Sequence, residues 1–191
     1  MIATTRALAY ERPLTHDDLL MMPDDGERRE IISGELVVNP APPSNHQRVF
    51  LRLSSILDGY ALETGAGEVL PAPFDVILGR FDVVQPDLIF LLGNRPRVPG
   101  NENSIDYPPD LVVEIISPSS RGTDRGKKMA LYARSGVTEY WIADPERRTL
   151  AINVLQGDDY RAVDVNPDCT LTSRILSGLR VDPAAVFARL D

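Results

Sequence analysis

One carboxylate constrains this chain more than any other residue. Glu114 lies inside Leu111-Val-Val-Glu-Ile-Ile, a run that is otherwise wholly apolar. A run this short reads as a strand covered on both faces. An unpaired carboxylate in such a strand is costly or is forced to hold a proton. Glu114 therefore requires a basic partner, strong donors, a metal ion or a wet cleft. Asp87 poses the same question inside Val83-Val-Gln-Pro-Asp-Leu-Ile-Phe. Two such acids facing one cleft repel each other, and a divalent cation relieves that repulsion by taking their oxygens as ligands. The competing reading is a salt bridge from each acid to Arg or Lys. Spacing alone leaves open whether the two acids meet.

The rest of the chain reads as short elements alternating between strand and helix. Thr15 caps a short helix to about Met22, with Asp17 and Asp18 in its first turn. Arg29-Glu-Ile-Ile, Ser33-Gly34 and Glu35-Leu-Val-Val form a hairpin. Ser44 or Asn45 starts a long helix, with Val49, Leu53, Ile56, Leu57 and Tyr60 on one stripe and Gly65 and Gly67 at its end. Val69-Leu70 and Phe74 to Leu78 are strands. Phe81 to Leu92 is a strand interrupted at Pro86, which removes a ladder donor. Gly93 to Pro109 reads as a polar loop, either a lid or a connection. Ser119 or Ser120 caps a helix to about Arg134, and Gly136 ends it. Glu139 to Ala143 is the next strand, so strand, helix and strand form a parallel crossover. Thr149 to Leu155 and Tyr160 to Val163 form an added hairpin around Gly157. A short helix follows Asp182-Pro183.

The expectation is one α/β domain over residues 1–191, large enough for a full core. No apolar run is long enough to span a membrane. Met1 to Tyr10 lacks the apolar core of a secretory signal. Cys169 is the only cysteine, so no internal disulfide can form. It reads as a core or strand residue. These features fit a cytoplasmic protein.

The formal net charge of −8 argues against broad attraction to nucleic acid. Charge is unevenly spread, however. Between Ser119 and Gly136, Arg121, Arg125, Lys127, Lys128 and Arg134 face one acid, Asp124. Leu14 to Glu35 carries seven acids against two Arg. On a regular helix Arg121, Arg125, Lys128 and Tyr132 share one face, with Lys127 turned away. Lys128 therefore follows the Glu114 strand as a candidate cation for a hydrolytic centre. The chemistry expected of such a centre is phosphodiester hydrolysis, with a divalent metal on Asp87 and Glu114 and with Lys128 stabilising negative charge, orienting water, or both.

Several segments together carry a family pattern. They are Ile31-Ile-Ser-Gly-Glu-Leu-Val-Val, His46-Gln47, Leu70-Pro-Ala-Pro-Phe-Asp-Val, Val84-Gln-Pro-Asp-Leu, Val113-Glu-Ile-Ile-Ser-Pro-Ser, Asp124-Arg-Gly-Lys-Lys-Met-Ala-Leu-Tyr and Gly136-Val-Thr-Glu-Tyr-Trp-Ile-Ala-Asp. In this order they resemble the Uma-two family of restriction endonucleases. The resemblance implies a PD-(D/E)XK, restriction-endonuclease-like core. That is an α/β fold with a central mixed sheet flanked by helices, here with an N-terminal hairpin and added C-terminal strands. It implies Asp87 and Glu114 as catalytic metal ligands for Mg2+ or Mn2+, and DNA as substrate. Ile116 stands where such sites usually carry Lys, and Lys128 takes that role from the following helix. Glu35, His46, Gln47 and Asp124 are accessory positions. A homodimer would gather two basic helices into one groove. The alternative is a noncatalytic nucleic-acid- or protein-binding module on the same fold.

Other signals are weaker. Gly122-Thr-Asp-Arg-Gly-Lys-Lys lacks the glycine spacing and final Ser or Thr of a phosphate loop. Tyr140 and Trp141 read as packing, and Tyr132 reads as a cover for the sheet ahead of a hydrogen bond in the cleft. Glu139 reads as an ion-pair partner for Arg.

Overall fold

The computed structural model describes residues 6–8, 10–95, 98–100, 102–117 and 122–190. The elements in chain order are β1 (Arg6–Leu8), α1 (His16–Leu20), β2 (Arg28–Ile32), β3 (Glu35–Asn39), α2 (Ser44–Thr64), β4 (Gly67–Pro71) and β5 (Asp75–Gly79). There follow β6 (Asp82–Val84), β7 (Leu88–Leu92), β8 (Ser104–Ile105), β9 (Leu111–Ile115), a π-helical segment (Thr123–Lys128), α3 (Met129–Ser135) and β10 (Glu139–Asp144). The chain closes with β11 (Thr149–Gln156), β12 (Asp159–Ala162), β13 (Leu171–Thr172), β14 (Arg180–Val181) and α4 (Pro183–Val186). Among the described residues no helix is long and apolar enough to cross a membrane.

Two mixed six-stranded sheets organise these elements. The first has the order β1-β3-β2-β6-β5-β8, and the second has the order β12-β11-β10-β9-β7-β4. The expected N-terminal hairpin is therefore the middle of a larger sheet. Ser33 (φ 55°) and Gly34 (φ 79°) both adopt positive φ at its turn, the geometry a two-residue hairpin loop requires. The expected parallel crossover is present: β9 and β10 pair parallel, Glu139 opposite Leu111, with the helical segment between them in sequence.

The second sheet is sandwiched, because its strands alternate between two apolar faces. Leu88, Phe90, Leu111, Val113 and Ile115 pack with Val49, Leu53 and Leu57 of α2. Ile89, Leu91, Val112 and Ile116 pack with Ile32, Val76 and Val84 of the first sheet and with Leu131 and Tyr132 of α3. Full burial of each of Val49, Leu53 and Leu57 contributes about 2 kcal/mol. Gly65 (φ 67°) ends α2, its N–H reaching Ala61 O at 2.9 Å.

Three expectations need correction. The single strand expected over Phe81 to Leu92 is two strands in different sheets, β6 and β7. Pro86 lies where the chain crosses between them, a place where a missing ladder donor costs nothing. The Gly93 to Pro109 segment is not only a loop, since β8 pairs parallel with β5. Residues 96, 97 and 101 lie outside the described set. Cys169 is exposed at a turn with φ 64°, not in a strand or the core.

Candidate active site

The antiparallel register of β7 and β9 decides where the two singular acids go. Leu88 lies opposite Val113, so one step further Asp87 faces Glu114 across the two strands. Asp87 is 3% exposed and Glu114 3%. Alternation along β9 turns Glu114 to the side of Val112 and Ile116, toward the first sheet.

Asp87 is held by three groups. Arg28 NH1 donates to Oδ1 at 2.8 Å, and the Ile115 N–H donates to Oδ2 at 2.7 Å. His46 Nε2 lies 3.2 Å from Oδ2. Arg28 NH2 also donates to the carbonyl of Gln85, two residues before Asp87. Burial alone would raise the Asp87 carboxyl, but Arg28, His46 and the Ile115 N–H outweigh it and hold the group below the ordinary carboxylate range. His46 reaches this position because it begins the buried stripe of α2 that continues through Val49, Leu53 and Leu57.

Glu114 is held differently. Its Oε1 accepts from Lys128 Nζ at 2.9 Å and from the Tyr132 hydroxyl at 2.7 Å. Lys128 Nζ also lies 2.7 Å from Glu30 Oε1 and 3.8 Å from Asp124 Oδ1. Burial would lower the Lys128 ammonium, but Glu114, Glu30 and Asp124 together raise it above the ordinary lysine value. Lys128 thus sits as the shared ammonium between Glu30 and Glu114.

The two partners of the Lys128–Glu114 contact both shift upward, which a simple ion pair does not do. The resolution lies in Glu30. Glu30 takes the larger share of the ammonium and is lowered, because Lys128 and Arg28 overcome its burial. Glu114 is raised, first by burial and then by Asp124, Asp87 and Glu30, with Lys128 opposing. Glu114 is the member of the cluster left short of positive charge.

The π-helical segment explains which residues point inward. Such segments widen the turn and commonly mark functional sites. Here Asp124 and Lys128 are buried, whereas Arg125 and Lys127 are exposed. Arg125 thus departs from the inward face expected for a regular helix. Arg121 and the expected helix caps Ser119 and Ser120 lie outside the described residues.

The accessory positions divide. His46 and Asp124 join the cluster. Glu35 does not: it is exposed and pairs with Lys127 at 2.8 Å. Gln47 is exposed on the side of α2 away from the stripe. Two residues of the cluster escape the sequence reading, Arg28 and Glu30, whereas the Tyr132 hydroxyl takes the cleft hydrogen bond that ranks second to packing in that reading. A signal for both exists. Alternation along β2 puts Arg28, Glu30 and the buried Ile32 on one face, so the hairpin carries charge inward. Glu139 also differs from expectation. It makes no ion pair among the described residues and instead accepts from Trp141 Nε1 at 3.1 Å, Ser173 Oγ at 2.8 Å and the backbone N–H of Ile175 at 3.3 Å.

The uneven charge of the sequence now has a structural cause. Lys127 pairs with Glu35 of β3, Lys128 with Glu30 of β2, and Arg134 with Asp82 of β6 at 3.0 Å. The basic segment is strapped onto acids of the first sheet, so much of its charge is spent within the molecule.

Asp87 and Glu114 are the two carboxylates of this cluster that could hold a divalent ion. Three buried carboxylates, Glu30, Asp87 and Glu114, are linked through two cations: Arg28 pairs with Asp87, and Lys128 with Glu30 and Glu114. Arg28 Nε and His46 Nδ1, both buried, have no hydrogen-bond partner among the described residues. Both Asp87 oxygens, by contrast, are already partnered, by Arg28, His46 and the Ile115 N–H. Among the described residues no group of three His, Cys, Asp or Glu forms a ready metal cage. Mg2+ does not need one, since it is usually held by one or two carboxylates with waters and substrate phosphates.

Comparison with known proteins gives a consistent result. The family model Uma2, described as "Putative restriction endonuclease", matches residues 16–184. Two proteins of Synechocystis sp. are similar, both carrying the name "Uncharacterized protein". One, slr1290, is 29% identical over 120 residues, or 61% of this chain and 60% of that protein. The match thus spans less than two thirds of that relative. The other, sll1609, is 24% identical over 148 residues, or 75% of this chain and 78% of that protein. A crystal structure from Anabaena variabilis, described as "a putative nuclease belonging to DUF820", superimposes with a TM-score of 0.77 at 22% identity. It covers 92% of this chain and 98% of that one. At that identity the likeness shows a shared fold, which is mixed α/β with helices flanking the sheets.

Proposed function

Because the chain belongs to the Uma2 family of restriction-endonuclease-type proteins, we propose that it is a divalent-metal-dependent endonuclease that hydrolyses DNA phosphodiester bonds. The observation that carries this reading is the placement of Asp87 opposite Glu114, both buried, on the face that also receives Lys128. Mg2+ or Mn2+ held by Asp87 and Glu114 supplies Lewis-acid charge stabilisation and a more acidic water.

The protein's own residues have separable roles in this reading. Lys128 stays protonated and offers a fixed positive charge to the anionic phosphorane-like transition state. Arg28 and His46 orient the Asp87 carboxylate from two sides. Tyr132 donates to Glu114 Oε1, which biases the direction of its lone pairs. The pairing of Lys127, Lys128 and Arg134 with acids of the first sheet offsets much of that segment's positive charge. Binding of DNA therefore depends on few phosphate contacts and responds weakly to salt.

One observation favours a noncatalytic module: Asp87 and Glu114 each already have a cation, Arg28 and Lys128. Incubation with supercoiled and linear DNA under Mg2+ or Mn2+ separates the two readings. The endonuclease reading expects cleavage that Glu114→Gln and Asp87→Asn abolish. Cleavage that persists equally in both variants is contamination and defeats it, as does the absence of any cleavage.

A further inference from the structure

Glu30 makes the shorter of two contacts to the Lys128 ammonium, 2.7 Å against 2.9 Å for Glu114, although it comes from the other sheet. We propose that Glu30 is a positioning residue of the active site, fixing the Lys128 ammonium beside Glu114. The inference rests on the reading of Lys128 as the cation of that site.

The geometry around Glu30 is that of a part built to hold something still. It is completely buried. Its Oε1 also accepts from the Gln85 N–H at 2.8 Å, and its Oε2 accepts from Asn39 Nδ2 at 2.7 Å. Both oxygens are therefore fixed, one by Asn39 of β3 and the other by the Gln85 N–H just after β6, and Oε1 also meets Lys128. Gln85 belongs to the short link that also carries Asp87, so one carboxylate ties the Asp87 segment to the lysine.

The arrangement answers a problem specific to lysine. Its ammonium is a point charge on a flexible stem, unlike the planar guanidinium of Arg. Facing Glu114 alone, it would collapse onto that carboxylate and neutralise it. A second acid divides the ammonium between two oxygens and holds it between the sheets. Burying a further carboxylate is expensive, a cost that an apolar residue at position 30 would avoid. The cluster accepts that cost and gains a defined lysine position.

The test reads Lys128 itself, without metal or DNA, so it is decided even in a protein that cuts nothing. In 15N-labelled protein the Nζ signal of Lys128 is identified by its loss in Lys128→Met. Glu30→Gln should shift that signal and speed its hydrogen exchange by about tenfold, while the Trp141 indole signal stays in place. Glu30→Asp, which withdraws the carboxylate by one methylene and keeps its charge, should shift the Lys128 signal in the same way and decides the matter if Glu30→Gln does not fold. An unchanged Lys128 signal in a folded variant overturns the inference. So does an equal shift of the Lys128 and Trp141 signals, which is the mark of general loosening.

Discussion

Asp87 faces Glu114 across the antiparallel β7–β9 pair, and the two carboxylates are stabilised by different means. Asp87 is held as an anion by Arg28, His46 and a backbone N–H, whereas Glu114 shares Lys128 with Glu30. The two neighbouring acids thus carry unequal support, since Asp87 has a guanidinium of its own and Glu114 shares its ammonium with a second acid.

Lys128→Met should destabilise the fold by about 3–5 kcal/mol, the usual cost of leaving buried charge without its partner. Lys128 is 3% exposed and touches two buried glutamates. Urea unfolding measures this directly. A loss below about 1 kcal/mol, the range of surface pairs, would show that the cluster is wetter than its geometry implies.

Arg28→Met should lower stability in the absence of divalent ions, because Asp87 loses its 2.8 Å partner. Added Mn2+ should then stabilise the variant more than the wild type, since the ion no longer competes with a guanidinium for Asp87. Stabilisation follows the logarithm of ion concentration over the dissociation constant. Thermal unfolding across a Mn2+ series reads the difference. A smaller rise in the variant contradicts the competition.

Glu35→Ala and Lys127→Ala serve as controls from the same segment. Their contact is 2.8 Å, but both side chains are more than half exposed. Each substitution should leave stability within about 0.5 kcal/mol and leave any DNA cleavage intact. Loss of cleavage in Glu35→Ala would return that residue to the site.

Glu139 sets a pH dependence away from the cluster. Burial raises its carboxyl above the ordinary value despite donors from Ser173, Trp141 and the Arg174–Ile175 backbone. The native state then keeps a proton that the unfolded chain releases. Stability from this group is fully present below the ordinary glutamate pKa of about 4.3 and is lost as pH rises through the native-state value. The stability of wild type relative to Glu139→Gln should therefore fall with rising pH in that window. A rise, read by urea unfolding at several pH values, contradicts it.

Local pattern carried much of the architecture. The stripe from Val49 to Leu57, the Ser33-Gly34 turn and the doubly buried β9 are each written in a single short segment. Asp87 and Glu114 were visible because acids are conspicuous in apolar runs. Glu30 was not, because Arg28-Arg29-Glu30 looks like an ordinary charged strand end until the partner across the sheet is known. The outward turn of Arg125 was equally hidden, since helical periodicity assumes a regular α-helix and this segment is wider. Sequence periodicity reports which way a residue points within its own element, whereas ion pairing between two sheets depends on tertiary register.

The most direct test of the whole account is anomalous scattering from crystals soaked in Mn2+. The account predicts a peak about 2.1 Å from a carboxylate oxygen of Asp87 and from one of Glu114, with Arg28 turned away from Asp87. A fully occupied ion elsewhere, or none at saturating Mn2+ with both salt bridges intact, would contradict it.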